Sequence, residues 1–272
     1  MKKKKINLLI YLALFSGLIV MALPFYWMII TAFKPPWEAI QYPPTWIPHE
    51  IDLTNIVKVW GEYFDRYYLN SVIVACSVTV FVLFTSSLAG FIFAKYDFAG
   101  KELLFLLVLS TMMIPFQVIM ISLFMIMMWL HWIDRLRAMI VPGMVSAFGI
   151  FLMRQFISTI PNDLLDAARI DGYSDFGIYF RLIIPNIKPV LSALAIFTFM
   201  WSWNDFLWPL VITNSIRSRT LTVGLAMYTL KWWTQYNLVM AGSLLVIGPV
   251  VIVFLILQKK FVTGITLSGM KF

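Results

Sequence analysis

Six apolar runs, each at or above the roughly twenty residues that cross a bilayer as a helix, leave little room for any other fold. They fall at residues 6–33, 69–94, 102–130, 138–157, 190–212 and 238–257. The composition agrees: 61% hydrophobic, 12% charged, against about a quarter charged in ordinary soluble domains. Mean hydropathy is +0.86. The chain reads as an all-α membrane protein of six transmembrane helices, one domain over 1–272, set in a lipid bilayer.

The net charge of +8 suggests nucleic acid. That class is excluded, because the lysines and arginines lie between apolar runs and form no basic face. The start, Lys2–Lys5 followed by an apolar run, mimics a secretion signal. The run is too long, however, and Pro24 is followed by bulky Phe25, Tyr26 and Trp27, so it reads as an uncleaved first span. Segment 34–68 is polar, with five prolines interleaved with Trp37, Tyr42 and Trp46; it reads as a structured extramembrane loop. Cys76 cannot form an internal disulfide and reads as a small buried hydrophobe.

Orientation follows from the loop cations. Thirteen lysines and arginines, the first four included, lie on the side of the termini and of the loop after the fourth span; eight lie opposite. Both termini and the 158–189 loop are therefore expected in the cytoplasm.

That loop carries the most structured polar stretch. Pro161 suits a helix start and Asp163 favours its dipole, Gly172 can end the helix, and Ser174 can cap a second helix that stops at Pro185. Leu164, Leu165 and Ala168 fall on one side of the first helix, Asp166 and Arg169 on another. Such a helix either seats in a partner's groove or lies on the bilayer or on the protein's own body.

The order Asp166-Ala167-Ala168, then Gly172 and the distant Pro185, resembles the cytoplasmic EAA loop of ABC importer permeases. Asp166 stands where that family usually has glutamate. Arg169, Ile170 and Asp171 fit the form common among sugar importers. The resemblance covers nearly the whole chain: Asn70-Ser71, Met153 to Phe156, the W-N-D-F-L-W-P-L string from Trp203, and Lys260 to Gly264. It is similar to the smaller, six-span permease of carbohydrate (maltose-type) importers, with a type I importer permease fold.

The resemblance implies a coupling helix at 163–172, whose contacts to an ATPase would come from Leu164, Leu165, Asp166, Ala167, Ala168, Arg169, Asp171, Gly172 and Pro185. It implies as partners a second, different permease, two ATP-binding cassette subunits and an extracytoplasmic solute-binding protein. The setting would be a bacterial or archaeal cytoplasmic membrane. ATP and magnesium would sit on the ATPase chains, since no G-x-x-x-x-G-K-[ST] loop occurs here. His49 and His131 are isolated, so neither a metal site nor a cofactor of this chain's own is expected, and no enzymatic constellation appears.

Trp201, Trp203, Asn204, Asp205 and Trp208 combine flat apolar rings with hydrogen-bonding groups. They suit either a sugar pathway or an interfacial aromatic belt. Arg217, Trp232, Trp233 and Tyr236, in the loop between spans five and six, are candidate contacts to the binding protein, or parts of a plain exposed turn. The solute is expected to be a sugar or oligosaccharide; glycerol-3-phosphate or a polyol is the alternative, with Arg217 and Arg219 keeping a phosphorylated solute open. An ATP-independent secondary transporter would rest on Asp205 alone for ion coupling, without visible inverted repeats. A scaffold or sensor would be expected to carry an extra soluble domain.

Overall fold

The computed structural model describes residues 2–232 and 235–269, with side-chain surroundings for 10–232 and 235–255. The described residues are helical or irregular, without strands. Four helices are each long and apolar enough to cross a membrane: Ile10–Ala32, Thr54–Lys95, Arg137–Ser158 and Tyr236–Leu255. Two further apolar stretches are bent pairs, and counting each pair as one crossing gives six. The chain divides into two compact units, residues 1–66 with 223–249, and residues 67–222 with 250–272.

In the first unit, the loop expected over 34–68 is only partly a loop. A helix runs from Thr54 to Val59, and the chain then kinks at Glu62 and Tyr63, where Tyr63 takes a φ of 68°, before the helix Asp65–Lys95 begins. Asn55 makes this possible. It is fully buried, and its amide donates to the Ala32 and Lys34 carbonyls at 3.0 and 2.9 Å, satisfying the end of the first helix. Its Oδ1 accepts from the buried Asn237 at 2.9 Å. Likewise the stretch after the fifth span contains a helix, Leu221–Lys231, and is not a simple turn. Tyr228 packs edge-to-face on Phe64 at 5.3 Å, and Lys231 pairs with Glu62 at 2.7 Å.

The second unit holds a continuous apolar core built from residues such as Val78, Met153, Ile157, Ile183 and Leu194. Small residues let its helices meet. A Cβ added to Gly90, in the Asp65–Lys95 helix, would come within 2.5 Å of the Met153 Cβ, and one added to Gly149 would collide with Ser86. This small-residue seam is how helices associate where lipid removes the hydrophobic driving force. Cys76 is exposed on the outside of its helix, contrary to the buried position expected of it.

The third apolar run is not one rod. Lys101–Thr111 and Phe116–Trp129 meet at 95°. Pro115 has no N–H to continue the helix and pushes Ile114 out of helical geometry. The amides of Met112, Met113 and Ile114 instead donate to carbonyls three residues back, in a tightened last turn. The fifth run breaks at Asp205, into Lys188–Asn204 and Leu207–Ile212. The second helix of the 158–189 loop passes Pro185 and ends at Asn186, followed by a 78° bend. A widened turn over Tyr179–Ile183 lets the helix accommodate the proline, so the stop expected at Pro185 falls slightly later.

Candidate functional site

The coupling-loop candidates lie on one helix, Asn162–Ile170, and the turn after it. Its end is a Schellman motif: Tyr173 N–H donates to the Ala168 carbonyl and Gly172 N–H to the Arg169 carbonyl, both at 3.0 Å. Gly172 has φ +83°, the left-handed region that only glycine enters without strain. Ser174 then caps Asp175–Ile178 by accepting from Gly177 N–H at 3.3 Å. Arg169 bridges the two helices, 3.3 Å from Asp166 and 3.7 Å from Asp175. These pairs are exposed, so they set geometry more than stability.

The helix does not present all its apolar residues one way. Leu165, only 2% exposed, and the partly buried Ala168 pack against the core of the second unit, so Leu165 anchors and cannot itself enter a partner's cleft. Leu164, Asp166, Ala167, Asp171 and Gly172 are exposed, and so are Ile170, at 87%, and Phe176. Ile170 and Phe176 are bulky apolar groups that a water-facing loop does not need, and sequence reasoning had not singled them out for contact. Pro185 is exposed in the turn Ile184–Asn186, before the bend.

One anchoring side chain had no signal in the sequence. Lys95, last residue of the Asp65–Lys95 helix, donates to Asn162 Oδ1 at 2.8 Å and to the Ile160 carbonyl, holding the start of the loop helix.

The tryptophan string separates into two kinds of residue. Trp203, 1% exposed, stacks on Phe199 and meets Tyr68 edge-on; Trp208 is buried with its indole N–H donating to the Ala138 carbonyl at 3.0 Å. Trp203 packs in the interior, and the buried Trp208 also borders the cavity that Trp201 lines. Trp201, 69% exposed, lines a cavity of about 470 Å³ together with Gln117, Ser202 and Asp205. A second cavity, about 370 Å³, shares Pro142, Gly143 and Trp201 with it. Asn204 is exposed but returns its amide to the Met200 carbonyl. The Asp205 carboxylate accepts from the backbone N–H groups of Phe206, Leu207 and Trp208, and its carbonyl from Thr222 at 2.7 Å. Helices broken at Pro115 and Asp205 thus border one recess, the arrangement that irregular backbone at membrane depth requires.

The stretch that carries Arg217 is rigidly held. Asn70 Nδ2 donates to the carbonyls of Arg217 and Arg219, both at 2.9 Å, and Ser71 Oγ accepts from Leu221 N–H. Asp134 Oδ1 accepts from the amides of Asn214 and Ser215; burial would raise its carboxyl, but the Ser215 hydroxyl together with these amides holds it below the usual range. The Arg217 side chain is exposed. In the first unit, Tyr236 is exposed at a helix start, whereas Trp232 is partly buried beside Tyr228 and Lys231. Trp233 lies outside the described residues.

Residues 86–266 match the family model described as "Binding-protein-dependent transport system inner membrane component". The chain is 37% identical to the arabinooligosaccharides transport system permease protein AraQ of Halalkalibacterium halodurans, over 90% of this chain and 89% of that one. It is 33% identical to the sn-glycerol-3-phosphate transport system permease protein UgpE of Escherichia coli, over 93% of each. Among solved structures, it resembles a chain of a bacterial ABC transporter that imports the acidic polysaccharide alginate, with TM-score 0.85 and 22% identity, covering 96% of this chain and 98% of that one.

Proposed function

The chain belongs to the family of binding-protein-dependent transport system inner membrane components, and on that premise we propose that it forms half of the pathway for a neutral oligosaccharide. It is a multi-pass permease subunit with the fold of a type I ABC importer permease. The other half of the pathway is a second, different permease, and the energy comes from two ATP-binding subunits on other chains. An extracytoplasmic protein delivers the solute. The membrane is the cytoplasmic membrane of a bacterium or archaeon, with both termini inside.

The observation that carries the solute class is the recess at Trp201. An exposed indole face suits a sugar ring, and Gln117, Ser202 and Asp205 suit hydroxyl groups. Its lining holds a carboxylate and no lysine or arginine, which disfavours a phosphorylated solute. The likeness to AraQ, named for arabinooligosaccharides, points the same way. The likeness to UgpE keeps glycerol-3-phosphate as the second reading, for which Arg217 and Arg219 are the available cations.

The coupling reading rests on the exposed face of the Asn162–Ile170 helix. A buried Leu165 fixes the helix to the body, while Leu164, Ala167 and Ile170 stay open to an ATPase cleft. Movement of that cleft then reaches the spans through a rigid lever.

The test is uptake into vesicles holding the complete complex, with arabino-oligosaccharide and with sn-glycerol 3-phosphate, each with its own binding protein. Uptake of the neutral oligosaccharide, reduced by Trp201→Ala, is expected. Uptake of the phosphate ester alone would contradict the proposal.

A further inference from the structure

The segment that follows the first helix is built inside-out. From residue 10 to residue 48 the only charged residues are Lys34 and Glu38, and both are buried to within 1%. Outward, the same segment shows Trp37, Ile40, Tyr42 at 92% exposure and Ile47 at 76%. An exposed charge returns only at Glu50.

The segment also folds back towards the membrane. The Tyr26 hydroxyl donates to the Trp46 carbonyl, and the Trp46 ring lies edge-on to Trp27 at 5.4 Å. Tyr26 and Trp27 belong to the Ile10–Ala32 span, five or six residues before its end. At about 1.5 Å per residue, Trp46 therefore sits roughly 8 Å below the level where that helix stops.

Polar backbone at such a depth needs internal partners. The carbonyls of Ala32 and Lys34 are taken by Asn55, that of Phe33 by the Asp52 amide, that of Thr45 by the Lys34 ammonium and that of Trp46 by Tyr26. Five prolines between 35 and 48 remove five N–H donors that would otherwise seek water. The one buried carboxylate, Glu38, is satisfied by Thr45 and His49.

We propose that residues 35–48 form a collar seated in the headgroup region of the bilayer at the end of the first span, with Trp37, Tyr42 and Ile47 in contact with lipid. The occupant is lipid because the exposed apolar face of the collar continues that of the span, with no exposed charge between them. A binding protein that docks and leaves each cycle does not fit, since such an interface is no more apolar than ordinary protein surface, and this face would be bare to water between cycles. The collar fixes the height of the first span, the use to which interfacial tryptophan and tyrosine are suited.

The experiment places an environment-sensitive fluorophore on Tyr42→Cys or Ile47→Cys in a Cys76→Ser background. The full-length chain, with its co-purifying subunits, is reconstituted in phosphatidylcholine vesicles. Quenching by lipid brominated near the acyl-chain carbonyls should exceed quenching by aqueous iodide several-fold at both positions, with the reverse at Glu50→Cys. Iodide quenching at 42 and 47 equal to that at 50 would overturn the proposal. Protection from both quenchers would also overturn it, by showing a protein on this face.

Discussion

The Lys95 ammonium reaches Asn162 Oδ1 at 2.8 Å and the neighbouring Ile160 carbonyl, so the end of the Asp65–Lys95 helix holds the first residue of the Asn162–Ile170 helix. The bond joins residues 67 apart in sequence.

Removing it should loosen the lever without unfolding the body. Charge-assisted hydrogen bonds contribute about 1.5–3 kcal/mol. Lys95→Met is expected to leave the amount of chain in the membrane unchanged and to lower binding-protein-stimulated ATPase activity of the complex several-fold. Lys95→Arg should retain part of that activity. Stimulation at the unaltered level in Lys95→Met would remove the pin from the account.

The local chemistry of this loop was legible before the fold was. Gly172 as a left-handed cap and Ser174 as an N-cap follow from residue type and neighbours, and both appear as expected. The inward turn of Leu165 and the outward turn of Leu164 were not legible, because helical spacing puts both near one face and only the body decides which is covered. The same holds for Trp203 and Trp208, whose core role depends on Phe199 and Ala138. The apolar runs fall on helices and bent helix pairs apolar enough to cross a membrane but hid the breaks at Pro115 and Asp205, since hydropathy carries no information on direction.

At Gly172 the cost of substitution should come from backbone alone. A Cβ there would meet nothing within 4 Å, whereas a left-handed L-residue costs about 1–2 kcal/mol. Asparagine tolerates that region better than leucine or alanine. Transport by Gly172→Asn is therefore expected to exceed that by Gly172→Ala or Gly172→Leu, measured as solute uptake per complex. A ranking by side-chain size, with alanine first, would contradict the backbone account.

At Gly90 the cost should be steric. A new Cβ would lie 2.5 Å from the Met153 Cβ and 2.9 Å from the Arg154 amide nitrogen, and backbone cannot step aside cheaply. Gly90→Ala should destabilise by about 1–3 kcal/mol and Gly90→Leu by more. Gly17→Ala, in a helix interior with open space around it, should stabilise by up to about 1 kcal/mol. Thermal unfolding of the purified protein measures all three.

Acid should loosen the collar through Glu38. Burial alone would raise its carboxyl, yet hydrogen bonds from His49 and Thr45 hold it below the usual range. Because the folded value is depressed, the stabilisation is full above the ordinary glutamate value of about 4.3 and is lost as pH falls through the folded one. Protection of the His49 amide against hydrogen exchange, corrected for intrinsic rate, should fall below that range. Glu38→Gln should abolish the pH dependence.

The central claim is that the exposed face of the Asn162–Ile170 helix meets an ATP-hydrolysing subunit in the cytoplasm. Ala167→Cys in a Cys76→Ser background leaves one thiol in the chain. In inside-out vesicles, a short thiol crosslinker at that position should yield a product with a nucleotide-binding subunit, and an impermeant maleimide should label the thiol in those vesicles but not in intact cells. Labelling in intact cells, or a crosslink that never captures a nucleotide-binding chain, would contradict the account.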